Sequence, residues 1–327
     1  MRRRDFLTLT AGSSLAAGLI RPALAQDTWP SQPVRLVVPF SAGGPTDIPA
    51  RLFADELSKM LPQRVVVENR TGAGVVVGSD LVAKAPKDGH TLLYNTIAHS
   101  VLRALFPRLP FDPVADFQPV ALLGVIPMLL LVNKDLPARN LPELVKLFRD
   151  NPGKYDYGSS GNGGAVHLAT ELFLKRAGDL KVNHIPYRGS AAAMPDLLSG
   201  RLAMFIDVAA GGLPYAKRGE ARALGVSSDK RIPQAPDVPT FAESGVPDAE
   251  SYTWHMVFAP AGTPAPVVKA INAAFNKVAA MESVQRRLTD LTMIVRSDTT
   301  PEAAKKWLMD EIAKWEPIIR DAGIKID

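Results

Sequence analysis

From residue 33 onward the chain alternates strand, glycine turn and helix, and that alternation leaves few folds open. Pro33 to Pro39 is a strand-like run ending in Ser41-Ala42-Gly43-Gly44-Pro45-Thr46-Asp47, after which Leu52, Phe53, Leu57 and Met60 share one helical face. Arg64 to Glu68 reads as a second strand. Thr71-Gly72-Ala73-Gly74 leads into a helix through Leu81 and Val82, and Asp88-Gly89 turns the chain into a third strand, His90 to Asn95. Such a β-α-β-α-β succession predicts an open sheet with helices on its faces.

The pattern restarts at Val125. Pro127 to Val132 is a strand, Leu141 to Phe148 a helix with Asn140 as its N-cap, Tyr155 to Gly158 a strand, Ser159 to Gly164 a loop and His167 to Arg176 a helix. Lys181 to Ile185, Ala191 to Leu198, Leu202 to Asp207 and Ala221 to Ser227 continue the alternation. After the proline-rich segment Ile232 to Pro247 come Val257 to Ala259 and helices at Pro266 to Met281 and Pro301 to Ala322, whose Trp307/Trp315 face is read as core. There is no repeat of solenoid type, only two similar α/β halves. A length of 327 residues suits two ordinary domains.

The formal charge of +5 invites a nucleic-acid reading, which the first 25 residues remove. They hold Arg2, Arg3, Arg4 and Arg21 against Asp5, a net +3, leaving +2 (5 minus 3) on the rest. That is too little, and too evenly spread, for a phosphate-binding surface. The same segment has the layout of an export signal: a basic start, an apolar stretch from Phe6 to Ile20, and Ala23-Leu24-Ala25 as cleavage site. Arg3-Arg4-Asp5-Phe6-Leu7 resembles the twin-arginine export signature; an ordinary secretory route stays open. A membrane span needs roughly 20 apolar residues, and this run is shorter and interrupted. The most apolar later segment, Val120 to Val132, is broken by Gly124 and Pro127. The reading is a soluble periplasmic protein without a stable membrane anchor. The chain has no cysteine, which excludes disulfides, thiolate chemistry, zinc–thiolate sites and Fe–S clusters.

Two loops share one design. Phe40 to Asp47 and Ser159 to Gly164 each join a strand to a helix, where unpaired backbone N–H groups and the helix dipole favour an anion. Glycine permits close approach and positive φ. Each loop alone reads as an ordinary turn, with Asp47 as an N-terminal cap; two of them facing one cleft read as a carboxylate site. A dinucleotide reading of Gly72-Ala73-Gly74-Val75-Val76-Val77-Gly78 fails because the third glycine is one residue late and no acidic residue ends the next strand. Gly158-Ser159-Ser160-Gly161-Asn162 lacks the second glycine of a nucleophile elbow. The five histidines (His90, His99, His167, His184, His255) show no metal-binding spacing. No cofactor or metal site is expected, and His167 is read first as fixing its loop.

Here the motifs become specific. Val38-Pro39-Phe40-Ser41-Ala42-Gly43-Gly44-Pro45-Thr46-Asp47 with Ala50-Arg51 resembles the opening signature of the Bug family, the substrate-binding proteins of tripartite tricarboxylate transporters. Val67-Glu68-Asn69-Arg70 with Gly72-Ala73-Gly74, Asp112-Pro113, Asn151-Pro152-Gly153-Lys154, Pro186-Tyr187-Arg188-Gly189 and Pro236-Asp237-Val238-Pro239-Thr240 match later blocks in order. The resemblance implies a two-lobed periplasmic-binding-protein fold of type II. Each lobe would be an open mixed α/β sheet flanked by helices, with the ligand cleft between lobes. Residues 26–126 plus 252–327 would form lobe 1, and 127–251 lobe 2. It implies a monomer that captures a small carboxylate and delivers it to a membrane permease, with no nucleic-acid partner.

By motif match the ligand-binding residues are Phe40, Ala42, Gly43, Gly44 and Asp47 in the first loop. Ser159, Ser160, Gly161, Asn162, Gly163 and His167 follow in the second, then Arg188, Gly189, Ala192 and Asp207 toward the distal end, with Thr96 and Ala98 after the third strand. The chain departs from the family pattern at Gly164, Ala165 and Val166, at Arg188 in place of lysine, at Ala192 near a missing proline, and at Val208 in place of asparagine. These changes make the second-lobe wall less polar and favour an aromatic or longer aliphatic carboxylate over citrate or an amino acid. Two alternatives stay open: a sensor presenting its ligand to a receptor kinase, and an exported enzyme of carboxylate metabolism.

Overall fold

The computed structural model describes residues 29–326, so the basic N-terminal segment and its cleavage site lie outside the described residues. The first sheet grows from β1 (Val34–Val38), which pairs in parallel with β2 (Val65–Asn69) on one side and β3 (Thr91–Asn95) on the other. Every residue of β3 is buried, the apolar run expected of a strand covered on both faces. Helices α1 (Asp47–Met60), α2 (Val76–Ala83) and α3 (Leu102–Leu105) lie between these strands and the next one.

That next strand departs from the sequence reading. Gly124 and Pro127 do not break the apolar segment; β4 runs unbroken over Phe117–Asn133, 17 residues and about 55 Å at ~3.3 Å per residue. The chain therefore does not restart at Val125 but crosses from one sheet to the other inside a single strand. Register shifts at Pro119/Ala121 and Leu122/Gly124 absorb the irregular residues. Gly124 is needed because a Cβ there would stand 2.7 Å from the Met293 side chain and 2.9 Å from the Ile294 carbonyl oxygen.

Helix α4 (Leu141–Asp150) begins as expected: Asn140 Oδ1 accepts the Glu143 N–H at 2.9 Å and Glu143 in turn accepts from Arg139. Then come β5 (Asp156–Ser159), α5 (Ala165–Arg176), β6 (Asn183–Pro186), α6 (Ser190–Leu198), β7 (Met204–Val208), α7 (Ala209–Lys217) and β8 (Ala221–Val226). The chain returns through β9 (Tyr252–Pro260) and closes with α8 (Ala265–Ala279), α9 (Glu282–Asp290), β10 (Ile294–Val295) and α10 (Pro301–Asp321). Helices α7 and α9 and strand β10 were not read from the sequence. Gly211, Gly212 and Pro214 hide the first of these, and α9 presents only Val284 and Leu288 to the core.

Two lobes result. The outer part of β4 pairs with β9 from Phe117 to Pro127 and with β10 at Gly124 and Val125, giving the order β2-β1-β3-β9-β4-β10. From Met128 the same strand pairs with β7 and β8, giving β8-β4-β7-β5-β6. Helix α5 straddles the junction: Leu168 and Leu172 join the core around Trp254 and Trp315, while Ala169 and Phe173 join that of the second sheet. Trp315 is fully buried as expected. Its indole N–H and that of Trp254 both donate to Glu311 Oε2 at 2.9 Å. Among the described residues no helix is long and apolar enough to cross a membrane.

Candidate functional site

Between the lobes lies a cleft of about 620 Å³, within the range of small-molecule sites. Four helices begin at it. The turn before α1 contributes Phe40, Ser41, Gly44, Pro45 and Thr46, and the start of α5 contributes Ser160 and Gly163 to Val166. Gly189, Ser190 and Ala191 open α6, and Val208 precedes α7. Backbone N–H groups of Ser41, Thr46, Ser160, Ala165 and Val166 have no partner among the described residues. Four positive dipole ends thus meet at one cleft. Among the described residues no lysine, arginine, aspartate or glutamate side chain lines it.

The residues expected from motifs divide into two groups. Phe40, Gly44, Thr96, Ala98, Ser160, Gly163 and Gly189 line the cleft. Ala42, Gly43, Asp47, Ser159, Gly161, Asn162, His167, Arg188, Ala192 and Asp207 do not, and several of them stand behind the loops. Asp47 is fully buried. Its Oδ2 accepts the Gly43 N–H at 2.8 Å and the Arg51 Nε–H at 2.7 Å, and its Oδ1 accepts from Asn69 at 2.8 Å. It is therefore no N-terminal cap; it ties the loop backward. Burial works against its charge, but the hydrogen bonds from Arg51, Gly43 and Asn69 outweigh burial and hold the carboxyl below the ordinary aspartate value.

His167 does the matching work in the second loop, as the sequence suggested: its Nδ1 accepts the Gly163 N–H at 3.1 Å. Its ring stacks on His184 at 3.9 Å between centroids, and His184 stacks on Tyr157. Ser159 Oγ is hydrogen-bonded to His184 Nε2 at 2.6 Å. Burial, helped by His184, pushes His167 down to about 3, so it is neutral and free to accept. Gly163 has φ +68, and a Cβ on it would meet the Leu105 methyls at 2.8 and 2.9 Å. Gly43 and Gly161 also have positive φ, yet a Cβ on either would meet no atom closer than 3.6 Å.

Toward the other end, Asp207 Oδ1 accepts from Ser190 Oγ at 2.6 Å and from the Val208 N–H at 2.8 Å. Burial pushes its pKa up to about 6 against those two hydrogen bonds. It fixes Ser190, which does line the cleft. Arg188 is exposed and makes no hydrogen bond or ion pair among the described residues. Motif matching passed over Ile97, Val101, Ile126, Leu168, Thr253 and His255, all of which line the cleft. Ile126 on β4 and Thr253 and His255 on β9 are brought in by the pairing of strands distant along the chain, whereas Ile97 and Val101 follow β3 and Leu168 lies on α5, where their apolar side chains read as core.

The profile of the tripartite tricarboxylate transporter family receptors matches residues 49–324. The chain belongs to this family, the one whose Bug members its motifs resemble. A Pseudomonas protein described as lying in the tcbD-tcbE intergenic region is 41% identical over 314 residues, 96% of this chain and 91% of the relative. A Rhodopseudomonas palustris protein solved with adipate is 35% identical with a TM-score of 0.77, covering 91% of this chain and all of that one. MatC from the same species, solved with bound malate, is 34% identical with a TM-score of 0.76, covering 89% and 100%.

Proposed function

We propose that the chain is a periplasmic solute receptor that grips one carboxylate group of a small ligand between its lobes and passes the ligand to a membrane permease. The observation that carries this reading is the meeting of four helix N-termini at a cleft whose wall, among the described residues, has no charged side chain. Neutral amides stabilise an anion there without the desolvation cost of a buried ion pair. Relatives solved with adipate and with malate support a carboxylate. Phe40, Ile97, Val101, Ile126 and Val208 give the cleft an apolar wall, which favours a ligand with an aromatic or longer aliphatic body.

In this reading residues 1–25 are an export signal removed after Ala25. Lobe 1 comprises 26–126 plus 252–327 and lobe 2 comprises 127–251, and β4 and β9 form the hinge about which they close. The receptor acts as a monomer and turns nothing over; the carboxylate contacts are the amides of the two glycine loops, with Asp47 and His167 as their braces. The test is mass spectrometry of small molecules released on denaturing natively purified protein, followed by calorimetry with the compound found. The expected result is one carboxylate per chain, recovered unchanged. A chemically altered product, or no binding of any carboxylate, overturns the reading.

A further inference from the structure

His255 lies on β9 and lines the floor of the cleft beside Thr253 and Ile126, with only 1% of its surface exposed. Its Nδ1 stands 2.8 Å from the Tyr94 hydroxyl, with the two rings edge to face at 5.4 Å and 89°. Tyr94 is fully buried, and burial raises its pKa, so the phenol keeps its proton. That proton has one acceptor within reach among the described residues, His255 Nδ1. A hydrogen on Nδ1 would leave the buried phenol O–H unpaired, which costs about 1–3 kcal/mol. Nδ1 is therefore bare, and in a neutral imidazole the hydrogen sits on Nε2. Burial pushes the ring down to about 3, so it is neutral.

Nε2 has no hydrogen-bond partner among the described residues, and it is not among the polar atoms sealed inside the protein. It is a donor on a cleft wall without an acceptor. The other polar side chains there are hydroxyls, which donate or accept as required. Ser190 is already committed to Asp207, and Thr96 Oγ1 accepts the Ala98 N–H. Ser190 therefore faces the cleft as an acceptor, and the imidazole is the side chain there that is fixed as a donor from behind, by Tyr94.

We propose that His255 is a specificity-determining residue: its Nε2–H selects carboxylates that carry a second hydrogen-bond acceptor, a keto oxygen or a second carboxylate, over those with a plain hydrocarbon body. Tyr94 is the positioning residue that holds the tautomer. The inference rests on the cleft being a carboxylate site.

Two matched pairs test it by calorimetry: adipate against hexanoate, and benzoylformate against phenylacetate. The native protein should prefer the acceptor-bearing member of a pair by about tenfold. In His255→Phe that ratio should fall to about one, with hexanoate and phenylacetate changed by less than about twofold. His255→Gln, which can accept from Tyr94 and still donate, should restore part of the preference, and Tyr94→Phe, which keeps the ring in the cleft, should weaken it. Long-range proton–nitrogen NMR should place the His255 hydrogen on Nε2. Hydrogen on Nδ1, equal affinities in the native protein, or a preference unchanged in His255→Phe overturns the inference while the carboxylate reading stands. If none of the four compounds binds the native protein, the inference falls, and the carboxylate reading falls with it only if the natively purified protein also releases no carboxylate on denaturation.

Discussion

In the first glycine loop the Gly43 amide donates to Asp47, and in the second the Gly163 amide donates to His167, four residues on in both cases and from the first turn of the following helix. The geometry is shared and the chemistry is opposite. Asp47 is a charged brace inside a network with Arg51 and Asn69. His167 is a neutral brace inside a stack with His184 and Tyr157. In both loops the brace occupies one amide and so decides which others stay open. The braced glycines differ also in what surrounds them: a Cβ on Gly163 would crowd Leu105 and Ile326 of the opposite lobe, whereas one on Gly43 would meet nothing within 4 Å.

The largest expected difference follows from that crowding. Gly163→Val combines positive φ with contacts below 3 Å and should cost about 3 kcal/mol in urea denaturation, with more than a hundredfold loss of affinity. Gly43→Val meets no atom within 4 Å. It should show only backbone strain, about 1–2 kcal/mol, and lose less than tenfold in affinity. Equal penalties would show that the loops are equivalent after all.

Removing the braces comes next. Asp47→Ala frees Gly43 and strips Asn69 of an acceptor, and should cost about 2 kcal/mol. His167→Phe keeps a ring in the stack but loses one hydrogen bond, about 1 kcal/mol. Affinity measured on the same proteins separates loop positioning from overall stability. A His167→Phe protein with native affinity would break the parallel.

Acid should then separate the two chemistries. Asp47 has a folded pKa below its ordinary value, so its contribution is present above 3.8 and is lost only as pH falls through that lower value. His167 is held at about 3 against an ordinary 6.5. Its contribution is present above 6.5 and drains away as pH falls from 6.5 toward 3. His255 at about 3 and His99 at about 4 behave alike. Unfolding free energy should therefore drop by about 1 kcal/mol for each of these three histidines between pH 7 and 5.5. His167→Phe should drop less over the same interval, and an Asp47 variant should follow the native slope there.

The smallest effect is expected at Arg188, which motif matching carried into the site and the fold leaves exposed. Arg188→Ala should change stability by less than about 0.5 kcal/mol and affinity by less than about twofold. A larger loss would mean that closure brings this arginine to the ligand.

Local signals made much of this legible. Leu36 to Val38 and Leu92 to Tyr94 are apolar because they lie in inner strands buried on both faces, and Asn140 with Glu143 marks a helix start that the fold keeps. Helix α7 was missed because its glycines and proline speak locally against a helix, while Leu213 and the approach of Gly212 to Leu129 and Leu131 speak for it through packing. Strand β4 misled at Gly124 and Pro127, since neither its bulges nor the contact of Gly124 with Met293 can be seen along the chain.

What the sequence determined by itself was the alternation of strands and helices, the two glycine loops at helix starts, and the order of family motifs, all of them properties of neighbouring residues. Which residues line the cleft was decided by tertiary structure alone. Asp47, His167 and Asp207 carry strong motifs and stand behind the wall; Ile126, Thr253 and His255 carry none and form part of it. The reason is physical: a brace must be near its loop in sequence to set the loop's shape. A wall residue need only be near the cleft in space, as where β4 and β9 pair Ile126 with Thr253 across more than a hundred residues of chain.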